Sequence, residues 1–318
     1  MLSKIINHYL PVTLRGVLMG AVDVIPGVSG GTIAFITGIY ETLIASLKSI
    51  DRRAFARLTR FEYRAFWRGI NGGFLTSLLL GIVFSIVTLS KVILYLLEHH
   101  TLLLLSFFFG LIIASAIVIV RRVNTHTVGG WTACISGAVL AFLITNLSPL
   151  ETPENLLFVF LSGAIAICAM ILPGISGSFI LLLLGKYTFI LSAVKDFNII
   201  VIIAFVTGCA AGLLGFVRLL SKLLRQHHDH TMMTLAGIMI GSLTKVWPWK
   251  VPASHMVPDG EKAMLFSLNV TPGTYVQLTG SEPMVIASMM LMAFGLAFVF
   301  LLEYLSAKTH GTLGEYSS

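Results

Sequence analysis

The chain has 318 residues, a formal net charge of +7, 56% hydrophobic and 11% charged residues, and a mean hydropathy of +0.92. No soluble core of this size hides so much apolar surface, which excludes a soluble enzyme or a nucleic-acid-binding domain and implies an all-α polytopic membrane protein. The apolar residues run in blocks of about 18 to 25, as crossing ~30 Å of hydrocarbon at ~1.5 Å per residue requires.

After an amphipathic start, apolar sequence from about 11 to 25 leads into Pro26-Gly27-Val28-Ser29-Gly30-Gly31-Thr32 and continues to about 47. The segment 48–68 places Arg52, Arg53, Arg57, Arg60, Arg64 and Arg68 at spacings of mostly three to four. That pattern predicts one interfacial helix lying on anionic headgroups. Spans follow at about 72–97, 102–120 and 130–147, and the acidic connection Glu151-Thr152-Pro153-Glu154 separates the halves. The second half runs from 156 into Pro173-Gly174-Ile175-Ser176-Gly177-Ser178, then Phe179 to Val194, then spans at about 199–221, 231–247 and 284–304. Trp247-Pro248-Trp249 opens a loop at 248–283 and predicts an interfacial anchor.

The two PG-aliphatic-SG motifs lie 147 residues apart, and the same offset pairs Gly16 with Gly163, Gly38 with Gly185 and Tyr40 with Tyr187. Further on Leu89-Ser90-Lys91 pairs with Leu220-Ser221-Lys222, and Gly110 with Gly237. Ordered matches of this kind indicate duplication, with repeats at 1–150 and 151–318. If each motif region dips in and returns to its own side, every half makes about three full crossings. Lys4, the arginine-rich segment, Arg121, Arg122, Lys222, Arg225 and Lys308 then share one face. Such a pattern puts both termini in the cytoplasm and makes the repeats inverted.

A glycine-rich turn within hydrocarbon leaves backbone groups unpaired, which is tolerated only against protein or a water-filled cavity. In each motif proline ends the entering helix, and Ser29 or Ser176 is placed to cap the returning one. A helix N-terminus attracts anions, so Gly27, Ser29, Gly30, Gly31, Thr32, Gly174, Ser176, Gly177 and Ser178 are candidate anion contacts. Charges inside apolar segments are costly and therefore functional candidates. Lys186 is the first choice for an anion contact, with Arg15 and Arg218 nearer the membrane edges. Asp23 and Glu41 are candidates for proton or sodium coupling.

Several patterns carry less. Gly27-Val28-Ser29-Gly30-Gly31 fits the nucleophile elbow of serine hydrolases but lacks the preceding strand, and its second copy loses the last glycine. His227-His228-Asp229-His230 reads as a solvated turn, so no metal site is expected. Gly208-x-x-x-Gly212 and Gly237-x-x-x-Gly241 read as packing. Cys134, Cys168 and Cys209 are too widely spaced for a disulfide or metal set, and no cofactor is implied.

With these motifs in view, the chain resembles the bacterial PopT-type undecaprenyl phosphate translocases. The resemblance spans nearly the whole chain, in the Arg-Gly-x-x-x-Gly start at Arg15, the paired motifs and the span order. It implies a non-enzymatic carrier of undecaprenyl phosphate in the cytoplasmic membrane, moving the lipid from outer to inner leaflet for reuse in envelope synthesis. A small soluble anion is the alternative substrate. Alternating access around paired helix N-termini is the expected mechanism.

Overall fold

The computed structural model describes residues 2–25, 28–148, 150, 152–252 and 267–314. The first half holds α1 (Leu2–Asp23), α2 (Gly30–Ile36), α3 (Tyr40–Lys48), α4 (Arg52–Thr59), α5 (Tyr63–Gly69), α6 (Gly72–His99), α7 (Thr101–Arg121) and α8 (Val128–Asn146). The second holds α9 (Leu156–Ile171), α10 (Gly177–Leu183), α11 (Tyr187–Lys195), α12 (Ile199–Gln226) and α13 (His228–Gly241). A 3₁₀ turn (Ser242–Val246), the antiparallel strands β1 (Lys250–Pro252) and β2 (Ser267–Asn269), α14 (Pro272–Thr279) and α15 (Val285–Gly314) complete it.

Among the described residues five helices, α6, α7, α8, α12 and α15, are long and apolar enough to cross a membrane. The pairs α2–α3 and α10–α11 are apolar but bent by 115° and 106°. Both bends follow a glycine in the left-handed region, Gly38 at φ +72° and Gly185 at φ +63°, which a residue with a Cβ adopts only under strain. Element bounds repeat as well. α2 and α3 recur as α10 and α11 at an offset of 147, and α6 recurs as α12 at an offset of 127.

α1 packs along α6 in the same direction: Gly16 faces the Leu78 carbonyl and Gly20 faces Ile82 and Ser85. Asp23 therefore ends α1 opposite the middle of α6. The chain then returns to the start of α6, where Asn71 Nδ2 donates to Ser46 Oγ at 3.2 Å. α9 repeats this course along α12, with Gly208 against Phe160 and Gly212 against Ala164. The remaining long helices pair across the halves, α8 with α13 and α7 with α15. Here Gly237 meets the Cys134 carbonyl and Gly110 the Met292 carbonyl. The glycine pairs thus serve close helix approach, as read from sequence. Ile112 and Ala114 of α7 and Met233, Ala236 and Met239 of α13 are fully buried at the centre.

Contacts also gather the loops into two ends. Glu41 Oε1 meets His228 Nε2 at 3.1 Å, Asp229 Oδ2 accepts from Thr125 Oγ1 at 2.6 Å, and Arg122 Nε meets Glu303 Oε1 at 3.5 Å. This basic end carries the arginine-rich segment. The opposite end holds Leu150, Thr152 and the paired strands β1 and β2.

Two expectations need correction. The segment 48–68 is not one helix: Asp51 Oδ1 caps α4 through the Ala54 N–H at 2.9 Å, and the chain breaks at Phe61, φ 59°, before α5. The tryptophan pair does not act as a simple surface anchor. Trp249 is buried and donates through Nε1 to the Pro283 carbonyl, while Trp247 donates to Val270, both at 2.9 Å, so the two indoles pin the opposite-end cap.

Candidate functional site

The first motif abuts the end of α9, the helix that leads into the second motif. Gly27, together with Pro26, lies outside the described residues. Ser29 Oγ donates to the Met170 and Leu172 carbonyls, each at 3.2 Å, and Tyr40 Oη donates to the Ile171 carbonyl at 3.3 Å. The N-terminus of α2 thus abuts the carbonyl end of α9, a favourable head-to-tail arrangement of helix dipoles.

That N-terminus is occupied by the protein itself. Ser29 Oγ accepts from the Gly31 N–H at 3.1 Å, and Asp23 Oδ1 accepts from the Gly30 N–H at 2.7 Å. Thr32 is fully buried, and its hydroxyl has no hydrogen-bond partner among the described residues.

The second motif is built differently. Ser176 occupies the cap position of α10 but makes no capping bond, and its hydroxyl pairs with that of Ser178 at 2.8 Å. The expected cap therefore holds for Ser29 and not for Ser176. The Ser176 hydroxyl is engaged by Ser178 instead, and the second cap is missing too, because Met170 stands where Asp23 stands in the first repeat. Gly174, at φ +90°, brings the turn against Ser242 and Met239. Gly177 lies against the Ala166 carbonyl and Met170.

The cations are more dispersed than the sequence suggested. Lys186 is buried, 1% exposed, and donates through Nζ to the Thr152 carbonyl at 2.7 Å, toward the opposite end. It forms no ion pair with Asp23 or Glu41. Arg15 is half-buried on α1, and Arg218 is exposed on α12 near the basic end, where the Ala54 N–H bond first, then Arg53 and last Arg218 hold the Asp51 carboxyl below its usual range. Glu41 is also at the basic end, paired with His228. Asp23 alone of the two acids sits in the motif.

Two features escaped sequence reasoning. Tyr40 was noted only as a repeat match, yet it is 2% exposed and locks the first hairpin to α9, whereas its counterpart Tyr187 is 39% exposed. Lys245 lies at the end of the segment read as a span over 231–247, but α13 stops at Gly241 and the 3₁₀ turn carries Lys245 to Phe179 of α10. The signal available was a lone lysine in apolar sequence.

An apolar groove of about 460 Å³ leads away from the motifs between α12 and α13. Leu172, Phe216, Leu220 and Ile238 line it, and His227 and His230 stand at its basic end. Among the described residues no histidine, cysteine or carboxylate cluster is arranged to hold a metal ion.

Fold and site together define a multi-pass membrane protein with two broken apolar hairpins, the first of them hydrogen-bonded to the end of the helix that leads into the second. Residues 19–264 match the family described as VCA0040-like, undecaprenyl phosphate translocase-like, and the chain belongs to that family. It is 45% identical over 309 residues to the polyprenyl-phosphate transporter of Vibrio cholerae serotype O1, covering 97% of this chain and all of that protein. A polyprenyl-phosphate transporter of Staphylococcus aureus is 31% identical over 253 residues, covering 74% of this chain and 85% of the relative. By these names the family groups with transporters rather than enzymes. No solved structure matches the chain.

Proposed function

We propose that the chain carries the phosphate headgroup of undecaprenyl phosphate from the outer to the inner leaflet of the cytoplasmic membrane, while the prenyl tail stays in lipid. The names of its relatives support the substrate class. A phosphate cannot cross hydrocarbon bare and needs donors at mid-depth. The observation that carries the reading is the unequal capping of the two hairpins: Asp23 and Ser29 fill the N-terminus of α2, whereas that of α10 has no side-chain cap. The phosphate sits at Ser176, Gly177 and Ser178, with Ser29 to Thr32 as the facing wall. Lys186 adds a positive charge behind the second hairpin. Arg15 and Arg218 draw the headgroup toward the basic end, which faces the cytoplasm with both termini. Asp23 is the residue placed to couple a proton or sodium ion.

The repeats at 1–150 and 151–318 are inverted in this reading. In support, α1 runs with α6 and α9 with α12, yet α6 begins at the basic end and α12 finishes there. Alternating access follows from exchanging the hairpins' roles. At present α3 packs against α12 of the other half with Tyr40 buried, while α11 rests on its own α12 with Tyr187 exposed. The first hairpin is closed and the second is open.

The test is transport by protein reconstituted in vesicles, with and without pH or sodium gradients. Exchange of the lipid between leaflets, with no uptake of inorganic phosphate, is expected. Uptake of inorganic phosphate without lipid exchange would instead establish a carrier for a small soluble anion.

A further inference from the structure

At the end opposite the arginines stand two lysines, Lys245 and Lys250, for which no ion pair is formed among the described residues. Lys245 Nζ lies 4.1 Å from the centroid of the Phe179 ring, one residue past Ser178 on α10. Lys250 opens β1, in register with Asn269 of β2. Asn269 Nδ2 donates to the Thr244 carbonyl at 2.8 Å, and Thr244 Oγ1 meets Thr145 Oγ1 of α8 at 3.0 Å. These bonds clamp the hairpin onto the 3₁₀ turn and hold Lys250 within electrostatic reach of Lys245.

Both side chains are part-buried, and among the described residues neither has a carboxylate within ion-pair distance. Burial pushes the Lys250 pKa down to about 8, and the charge of Lys245 pushes the same way. A cation–π contact accounts for one lysine on one ring. It does not account for a second cation brought beside the first and partly withdrawn from water, an arrangement that costs free energy unless an anion joins it.

We propose that Lys245 and Lys250 form an anion-receiving station that binds a phosphate monoester headgroup at the mouth of the second hairpin. Building on the transport reading above, the station collects the headgroup on the non-basic side before it reaches Ser176 and Ser178. Two ammonium groups held at one end by the Asn269–Thr244 bond favour a compact anion with several acceptor oxygens over a neutral alcohol.

Isothermal titration of the purified full chain in detergent with farnesyl phosphate, farnesol and inorganic phosphate tests this. Lys245→Gln and Lys250→Gln are each expected to weaken farnesyl phosphate by about tenfold, the loss of one charge-assisted contact, and to leave farnesol unchanged. Lys245→Arg keeps the charge and is expected to stay within about threefold of wild type. If the double glutamine variant binds farnesyl phosphate as tightly as wild type, or if farnesol weakens in parallel, the lysines serve only the packing of the cap and the proposal is overturned. Equal binding of inorganic and farnesyl phosphate, both lost in the glutamine variants, would uphold the station and count against the lipid as substrate.

Discussion

Asp23 Oδ1 accepts the Gly30 N–H at 2.7 Å, so the carboxylate that ends α1 fills the N-terminus of α2. Removing it by Asp23→Ala is expected to destabilise the protein by about 1 kcal/mol, the usual worth of such a cap. Asp23→Asn keeps an acceptor and is expected to retain most of that stability while abolishing any dependence of transport on a pH or sodium gradient. Thermal unfolding in detergent and gradient-driven transport read the two effects separately. A gradient response unchanged in Asp23→Asn would remove Asp23 from coupling.

The serines are predicted to divide their effects. Ser29 satisfies the Gly31 N–H and two carbonyls of α9, so Ser29→Ala is expected to cost about 1–2 kcal/mol of stability. Among the described residues the Ser176 hydroxyl bonds only to that of Ser178, so Ser176→Ala is expected to cost less stability and more transport. Melting temperature and leaflet-exchange rate measured on the same preparations decide it; equal losses of both in the two variants would refute the division.

Much of this architecture is legible in the sequence, because membrane spans need long apolar runs and a duplicated chain repeats its breakpoints. Gly38 with Gly185 and Gly110 with Gly237 stand out in the sequence as repeat matches; the fold shows that the first pair makes the bends and the second pair close approaches. What escaped depends on tertiary placement. Periodicity alone does not reveal that Phe61 turns the arginine-rich segment, that Trp249 is pinned inside a cap, or that Met170 leaves α10 without the carboxylate that α2 enjoys. Lys186 illustrates the same limit. Its place inside an apolar segment is legible, but its burial and its carbonyl partner, Thr152, depend on a connection whose path only the fold fixes.

Gly110→Ala and Gly237→Ala are each expected to destabilise the protein by about 1–3 kcal/mol, since a Cβ at either position overlaps the backbone of the parallel neighbour. Gly215→Ala is the internal control. Among the described residues no atom outside its own helix backbone lies within 4 Å of its added methyl, and the helix propensity of alanine predicts a gain of up to about 1 kcal/mol. Urea or thermal unfolding of the three variants measures the contrast, and a similar shift in all three would refute the packing assignment.

At the basic end, His228 faces Glu41 from α3 and Asp229 on its own helix, with Thr125 behind Asp229 and His227 and His230 alongside. Desolvation alone would lower its pKa, but hydrogen bonds and charge from Glu41 and Asp229 outweigh it, and the net shift is upward. A histidine with a raised folded pKa contributes stability fully below its unfolded pKa and loses it as pH rises through the folded value. The difference in melting temperature between wild type and His228→Ala is therefore expected to be largest below about pH 6.5 and to shrink above it. A difference that grows with pH would contradict the ion pair.

The most direct test is leaflet exchange of undecaprenyl phosphate by the purified chain in vesicles, comparing wild type with Ser176→Ala/Ser178→Ala. Wild type is expected to exchange the lipid well above the protein-free rate, and the double variant, inserted normally, to fall at least about tenfold, the loss of two hydroxyl contacts to a charged headgroup. Exchange by the double variant at the wild-type rate would place the phosphate elsewhere, and no exchange by inserted wild-type protein would contradict the function itself.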